Sequence, residues 1–205
     1  MKRILITYGW VRSSYAALRN LSKRGVEVFV SDSGRYGMCQ FSKYKSKFLK
    51  YTSHYDDEQK FIQDLIKICK QNSIGLLLPS HNETEIIAKY KNEFPVGLCD
   101  LVPDYNHCKL LNNKSLSYDL ASNCGLNTPR RIQYKSPDEL FGLLNNLGMQ
   151  NAVVKLLRGN SSKGVYFTNS INETVDTVKD LIKKYCLSAS RYPQVEELVT
   201  GEGWG

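Results

Sequence analysis

The stretch AVVKLLRGNSSKGVYFT, residues 152–168, contains two apolar runs of strand length on either side of a short polar loop. The first run covers residues 152–157 and the second covers residues 164–168. Strands joined by so few residues usually pair antiparallel, because a tight loop brings the chain back alongside itself. We therefore predict an antiparallel hairpin here, within an α+β half of the chain.

The loop between these runs has a composition that suits a ligand with several negative charges. Gly159 and Gly164 permit unusual backbone dihedrals, and Ser161 and Ser162 add hydroxyl donors. Lys155 lies inside the first apolar run, where a charge is costly unless it is paired, so we expect it to face a cleft. The residues alone leave a second interpretation open, in which the loop is only a polar hairpin loop and Lys155 lies on a solvated face.

The segments around the hairpin complete this second half of the chain. Apolar residues at helical spacing predict three helices, and a last apolar run predicts a strand. These elements cover residues 116–124, 137–147, 171–185 and 194–199. Asn172 is a candidate cap for the third of these helices. We expect the boundary with the first half at residues 104–113.

The first half alternates between strand and helix patterns. A strand at 4–8, a helix ended by Gly25 and a strand at 26–30 form a βαβ unit, whose handedness implies a parallel sheet. The alternation continues with a helix at 61–69, a strand at 74–78, a helix at 83–91 and an apolar segment at 96–98. This order predicts a doubly wound, Rossmann-like α/β domain.

The start of this domain raises the question of dinucleotide binding. Asp32 follows the second strand, where a ribose-binding acid stands in such folds. The turn at residues 7–14, however, has one glycine where the fingerprint needs three, and Trp10 would crowd the pyrophosphate. We therefore reject NAD as a ligand. The helix N-terminus, with Ser13 and Ser14, is still compatible with binding a smaller anion, and simple capping by one serine is the equally good alternative.

The bulk properties are those of a globular protein without a membrane segment. The chain has 205 residues, 41% of them hydrophobic and 23% charged, and no apolar run approaches the roughly 18 residues of a membrane span. We expect a cytoplasmic protein. The six cysteines form no Cys-x-x-Cys pair and the histidines are not near them at metal-ligand spacing, so we expect buried, reduced thiols, Cys186 among them, and no metal site.

The net charge of +8 is compatible with nucleic-acid binding. Basic and aromatic residues interleave in residues 43–51, a pattern that also binds single strands. No nucleic-acid-binding motif accompanies this run, so we favour a solvated connection followed by a short strand from Phe48 to Tyr51.

Four motifs in order resemble the ATP-grasp superfamily. Lys114 precedes a helix that leaves through Gly125 and Pro129, and 152–165 resembles the second lysine and the flap. Residues 195–205, VEELVTGEGWG, resemble the hinge strand that holds adenine, and the first half resembles the domain that precedes the grasp. The resemblance covers nearly the whole chain and is closest to carbamoyl-phosphate-synthase-like and amino-acid-ligase-like carboxylate–amine ligases.

This resemblance implies a fold class and a domain plan. Residues 1–108 would be a parallel-sheet, Rossmann-like pre-ATP-grasp α/β domain, and residues 109–193 an α+β ATP-grasp lid subdomain. Residues 194–205 would be the hinge strand and the start of the last subdomain, at which the chain is truncated. The ligands of the magnesium ion are then expected downstream of this chain.

The resemblance also implies a function and a set of ATP-binding residues. The full-length protein would use ATP to activate a carboxylate as an acyl phosphate, which an amine then attacks. The lysines and the flap would contact the phosphates, and the Glu197 carbonyl and the Val199 N–H would pair with adenine. The implied ATP-binding residues are Lys114, Lys155, Ser161, Ser162, Gly164, Glu196, Glu197, Val199 and Glu202. No catalytic residue of this chain is implied.

The expected partners are ATP, magnesium, a small-molecule carboxylate and an amine, without membrane or nucleic acid. A homo-oligomer or a complementing chain stays open. The hinge motif departs from the family at Gly203, where many members have a ribose-binding acid. The flap motif departs from the family in having fewer glycines than many members. Two alternatives remain at this point, namely a non-catalytic basic nucleic-acid-binding protein and a split subunit that needs a partner chain.

Overall fold

The computed structural model describes residues 3–34, 36–159 and 164–201. The chain divides into two compact units, residues 1–109 and 110–205. We call them the first unit and the second unit. Within the described residues every helix is too short or too polar to span a lipid bilayer.

The first unit is a parallel sheet with helices on both faces. Its elements in chain order are β1 (Arg3–Ile6), α1 (Arg12–Lys23), β2 (Glu27–Asp32), β3 (Lys47–Lys50), α2 (Glu58–Gln71), β4 (Leu76–Leu78), α3 (Glu83–Lys89), a 3₁₀ turn (Lys91–Glu93) and α4 (Tyr105–Leu111). The strands pair in the order β3-β2-β1-β4, all parallel. One face packs on α1 around Leu18, and the other packs on α2 and α3 around Phe61 and Ile87. The predicted parallel α/β architecture is confirmed.

The structure adds detail at two segments of this unit and contradicts one expectation, the capping of α1 by a serine. The apolar segment 96–98 forms a turn in which Gly97 adopts a φ of +82°, and the Leu98 carbonyl accepts the Leu77 N–H at 2.8 Å. The two units divide after Lys109, within the 104–113 segment expected as the boundary, and helix α4 covers this position. Ser14 does not cap α1, because its buried hydroxyl donates to the carbonyls of Thr7 and Tyr8.

The second unit is an antiparallel sheet covered on one face by two helices. Its elements are α5 (Lys114–Asn123), β5 (Arg131–Ile132), α6 (Pro137–Asn146), β6 (Ala152–Lys155), β7 (Val165–Thr168), α7 (Ile171–Tyr185), a 3₁₀ turn (Ala189–Arg191) and β8 (Gln194–Glu197). The strands pair in the order β5-β8-β6-β7, all antiparallel. The predicted hairpin is therefore confirmed, and β8 lies between β5 and β6.

Capping boxes fix the starts of both covering helices. The Ser136 hydroxyl accepts the Glu139 N–H at the start of α6, and the Ser170 hydroxyl accepts the Glu173 N–H at the start of α7. Each glutamate in turn accepts the N–H of the residue before the cap. Ser170, and not Asn172, therefore caps α7, because the Ser-x-x-Glu spacing satisfies two N–H groups at once.

The burial of the cysteines differs in part from expectation. All six, which lie within the described ranges, are free, and Cys39, Cys69, Cys99 and Cys108 are buried. Cys124 and Cys186, which were expected to be buried, are exposed. Cys186 ends α7 in the left-handed region with a φ of 48°. Among the described residues no cluster of three or more His, Cys, Asp or Glu could hold a metal ion.

Candidate functional site

The two faces of the second sheet differ in chemistry. Val154 lies opposite Val195, and both are buried in the core formed with α6 and α7. Side chains alternate along a strand, so Lys155 and Glu196 lie on the other face. Lys155 is opposite Gln194 in the register, which makes Glu196 its diagonal neighbour. The pairing of β6 with β8 therefore brings together two charged residues that are far apart in the sequence.

Lys155 and Glu196 form a largely buried ion pair. The Lys155 ammonium donates a short hydrogen bond to one Glu196 carboxylate oxygen, and the Gln194 amide donates to the other. The Glu196 side chain is 4% exposed and that of Lys155 is 28% exposed. A carboxylate so deep in the protein needs such partners, because burying a charge without them is costly.

The helix α5 brings a second lysine to the same face. Asn113 caps this helix by accepting the N–H groups of Ser115 and Leu116. The Lys114 N–H donates to the Leu157 carbonyl at 2.9 Å, and its ammonium donates to the Gly159 carbonyl at 3.2 Å. The first turn of α5 is thus bound to the segment that follows β6, just beyond Lys155.

The two lysines line one open cleft with a volume of about 460 Å³. The residues that line it are Lys114, Ser117, Tyr118, Pro129, Lys155, Val165 and Glu196. Burial lowers the pKa of the Lys114 ammonium below its ordinary value, and the positive charge of Lys155 lowers it further. The two cations are therefore within electrostatic reach of each other. Among the described residues that line the cleft, Glu196 is the one acid and the lysines are two, so this part of the cleft suits an anion.

Arg131 attaches α5 to the edge of the sheet. Its guanidinium donates to the Ser115 carbonyl and hydroxyl and to the Asp119 carboxylate, and it lies 4.4 Å from the centre of the Tyr118 ring. The Arg131 side chain is only 12% exposed. The Tyr118 hydroxyl donates to the Pro129 carbonyl at 2.6 Å. These contacts fix the helix that carries Lys114.

Replacing Arg131 by alanine is expected to lower the free energy of unfolding of the second unit by about 2 kcal/mol, because several hydrogen bonds to a buried charge are lost. Lysine at this position keeps the charge but lacks the planar fork, so Arg131→Lys should recover less than half of the loss. Hydrogen exchange of the α5 amides measures both variants. An Arg131→Lys protein as stable as the wild type would contradict this role.

The structure brings some of the predicted site residues together and leaves others apart. Lys114, Lys155 and Glu196 line the cleft. Glu197 does not, since its carboxylate accepts the Arg130 N–H and its own N–H donates to the Arg130 carbonyl. Val199 follows the end of β8 and is 64% exposed, also outside the cleft lining. The predicted residues Ser161, Ser162 and Glu202 lie outside the described residues.

Two features of the structure explain why residue 164 is a glycine. Its φ is +78°, and a Cβ added there would come within 2.8 Å of the Leu156 side chain. Its carbonyl accepts the Leu156 N–H at 2.7 Å, so the chain passes close to the end of β6 at this point. A residue with a side chain would strain this return of the hairpin.

Sequence reasoning missed four residues that line the cleft, namely Ser117, Tyr118, Pro129 and Val165. A signal for two of them was present. Ser117 and Tyr118 stand three and four places after Lys114, and residues at that spacing share one face of a helix.

The carboxyl edge of the parallel sheet in the first unit is a second polar region. Tyr8 has a φ of 55°, its N–H donates to the Tyr51 hydroxyl, and its ring stacks on the His81 ring at 4.5 Å. The Glu83 carboxylate is buried and accepts the Thr7 hydroxyl proton, and burial raises its pKa above the ordinary value. These bonds hold β1 against the start of α3.

Comparison with models of known protein families finds no match, and a search of curated proteins finds none either. Solved structures do match. The biotin carboxylase domain of 2-oxoglutarate carboxylase from Hydrogenobacter thermophilus, solved with MgADP, ADP and bicarbonate, matches with a TM-score of 0.70 at 14% identity over 96% of this chain. N5-carboxyaminoimidazole synthetase from Staphylococcus aureus, solved with ADP, matches with a TM-score of 0.66 at 17% identity over 97%.

A third match is the L-amino acid ligase from Bacillus licheniformis, with a TM-score of 0.69 at 13% identity over 98% of this chain. These proteins are ATP-grasp enzymes, so the resemblance indicated by the motifs is confirmed at the level of the fold. The chain spans 44%, 48% and 45% of the length of the three structures, respectively. It has the fold of the N-terminal portion of these enzymes.

Proposed function

We propose that the lysine cleft binds the phosphate groups of ATP and that the whole protein is an ATP-dependent carboxylate–amine ligase. The observation that carries this proposal is that Lys114 and Lys155 line one cleft, with Glu196 as the single carboxylate among the lining residues that the structure describes. An anion placed beside Lys114 would offset the positive charge of Lys155, which together with burial lowers the pKa of the Lys114 ammonium. The fold shared with enzymes solved with ADP supports the choice of a nucleotide.

In this proposal the phosphates approach from the open side of the cleft. Lys155 then exchanges part of its bond to Glu196 for a bond to phosphate, while Gln194 keeps its bond to Glu196. The Glu197 carbonyl and the Val199 N–H would pair with the adenine edge. The exposure of Val199 beyond the end of β8 supports this role. Gly164, Ser161 and Ser162 would contribute flap N–H groups.

The proposed reaction has two steps. A substrate carboxylate oxygen attacks the γ-phosphorus, the bond to the β–γ bridging oxygen breaks, and ADP leaves. The amine nitrogen then attacks the carbonyl carbon of the acyl phosphate and forms the C–N bond. The bond from that carbon to the phosphate oxygen breaks, the nitrogen loses a proton to solvent, and inorganic phosphate leaves. Magnesium would neutralise phosphate charge in the first step. We assign no described residue to the metal, since no suitable cluster lies among them.

The domain roles are part of the same proposal. Residues 1–108 would be the pre-ATP-grasp domain, 109–193 the lid subdomain, and 194–205 the hinge with the start of the last subdomain. A homo-oligomer or a complementing chain that contributes to the site also belongs to this proposal.

The pH dependence of ATP binding tests the role of Lys114. A bound anion favours the charged ammonium, so binding is strong below the lowered pKa of Lys114 and weakens as the pH rises through it. The phosphates of ATP are themselves ionised above about pH 7 and do not add to this change. Calorimetric titration between about pH 7 and 10 should therefore show a falling affinity.

Arginine stays charged over this range, so Lys114→Arg should move the fall in affinity to higher pH. Lys183→Arg, an exposed position in the last turn of α7, is the matched control and should leave the profile unchanged. A profile that is the same in the wild type and in Lys114→Arg would remove Lys114 from the binding site.

The alternative of nucleic-acid binding through residues 43–51 is less well supported. Lys47 and Lys50 are exposed on the edge strand β3, which is the short strand expected there. Tyr51 is buried, and its hydroxyl accepts the Tyr8 N–H, so its ring is not available for stacking on a base. Strongly salt-dependent binding of DNA or RNA, with no response to ATP, would favour this alternative.

A further inference from the structure

Several exposed aromatic side chains lie in the first unit, at the connection from β2 to β3. Tyr36 is 77% exposed and Phe41 is 72% exposed. Trp10, which is 56% exposed, lies in the turn against which this connection packs, and Met38 is also exposed. We call these four residues the aromatic surface. Exposed apolar side chains that stand together in this way mark a contact site for a partner.

The backbone holds the aromatic surface in place. The Cys39 N–H donates to the Gly9 carbonyl at 3.0 Å, and the Cys39 side chain is fully buried. The Gln40 N–H donates to the Gly37 carbonyl and closes a tight turn. A Cβ added at Gly37 would lie 2.9 Å from the Trp10 Cα, so the connection passes directly against the turn that follows β1. An anchored connection of this kind loses little conformational freedom when a partner binds.

The two most exposed rings of this surface are nearly parallel. The planes of the Tyr36 and Phe41 rings differ by 8°, and the ring centroids are 6.5 Å apart. Nucleic-acid bases stack on such rings irrespective of sequence, because every base has a π-face. Residues 33–47 contain no Leu, Ile or Val, so this segment presents ring faces and no branched aliphatic side chain. This composition favours a partner with flat groups over a lipid bilayer.

The segment that carries the rings is basic. Residues 33–55 contain five Lys or Arg and no Asp or Glu. Lys43 is exposed two residues after Phe41, and Lys47 and Lys50 are exposed on the edge strand β3. Lysines next to exposed rings attract a polyanion that also carries flat, apolar groups, which is the chemistry of a single-stranded nucleic acid.

We infer that the aromatic surface binds single-stranded nucleic acid. Bases stack on Tyr36 and Phe41, while Lys43 and the exposed lysines of β3 contact the phosphates. The ring of Tyr51 takes no part, because it is buried. This activity is additional to the proposed ligase reaction, and it does not depend on the ATP cleft, which belongs to the second unit.

Fluorescence anisotropy of labelled oligonucleotides with the full chain tests this inference. The probes are oligo-dT and oligo-rU of about twelve nucleotides, which is within the usual range of site sizes. Binding of either probe supports the inference, and a difference between them assigns DNA or RNA. An abasic strand of the same length has the phosphates without the bases, so it should bind at least about tenfold more weakly. The affinity for the probes should fall as the salt concentration rises.

Variants locate the binding. Tyr36→Ala and Phe41→Ala should each weaken the binding of the probes about tenfold, whereas Tyr36→Phe should stay within about threefold of the wild type. Phe41→Leu keeps an apolar side chain without a ring, so it should lose nearly as much as Phe41→Ala. Lys43→Gln should reduce the slope of log K against log salt by about 0.7. Tyr185→Ala and Lys183→Gln remove an exposed ring and an exposed charge from the second unit, and as matched controls they should leave binding unchanged.

Four results would overturn the inference. Three of them are no binding of either probe, equal binding of the abasic strand, and binding that neither Tyr36→Ala nor Phe41→Ala weakens. The fourth is binding to vesicles of phosphatidylcholine and phosphatidylserine without binding of the oligonucleotides, which would assign the aromatic surface to a membrane. Lys114→Met should leave the affinity for the oligonucleotides unchanged, and Tyr36→Ala should leave the affinity for ATP unchanged. A failure of the ATP proposal is therefore distinguishable from a failure of this one.

Discussion

Replacing Lys155 by methionine is expected to lower the free energy of unfolding of the second unit by about 3 kcal/mol. The loss comes from Glu196, whose side chain is 4% exposed and would keep a buried charge without its cationic partner. The Gln194 amide would still donate to it, which moderates the loss. Glu196→Gln should cost less, about 1 kcal/mol, because Lys155 is 28% exposed and water can reach its ammonium.

The double variant separates the charge from the packing. Lys155→Met with Glu196→Gln removes both charges, so its stability should return to within about 1 kcal/mol of the wild type. Native-state hydrogen exchange of the Val154 and Val195 amides measures the second unit without interference from the first. A Lys155→Met variant that loses under about 1 kcal/mol would show that Glu196 is solvated.

The sequence predicted the elements whose pattern is local. The parallel sheet followed from apolar runs that alternate with helical patterns, and the hairpin followed from two such runs joined by a tight loop. The strand β5 has only two residues, Arg131 and Ile132, too few to have a period. Helix α4 was missed because its segment contains more polar than apolar residues and was interpreted as a boundary.

The candidate site was predictable as a set of residues but not as a geometry. Lys114 and Lys155 were predictable because each is a charged residue next to an apolar segment, and because each belongs to a motif that resembles the ATP-grasp superfamily. The partner of Lys155 is 41 residues away, and only the register of β6 against β8 joins them. Arg131 likewise reaches α5 across 12 residues through a strand too short to predict.

The other large effect is expected in the affinity of the lysine variants for ATP. Lys114→Met removes one charged hydrogen-bond donor, worth about 1.5–3 kcal/mol, and should raise the Kd roughly 10–100-fold. Lys155→Met should weaken binding more, because it also leaves the Glu196 carboxylate unpaired beside the phosphates. The double variant with Glu196→Gln keeps the net charge of the cleft constant. A loss of affinity in that variant would report a direct contact between Lys155 and phosphate.

The most direct measurement is calorimetric titration of ATP into four proteins. They are the wild type, Lys114→Met, the double variant Lys155→Met/Glu196→Gln, and Lys183→Met. Lys183→Met changes the net charge as Lys114→Met does, at an exposed position outside the cleft. If the phosphates bind between the two lysines, Lys114→Met and the double variant should each lose at least about tenfold in affinity for ATP, while Lys183→Met should match the wild type. Equal affinities in all four proteins, or an equal loss in Lys183→Met, would contradict it.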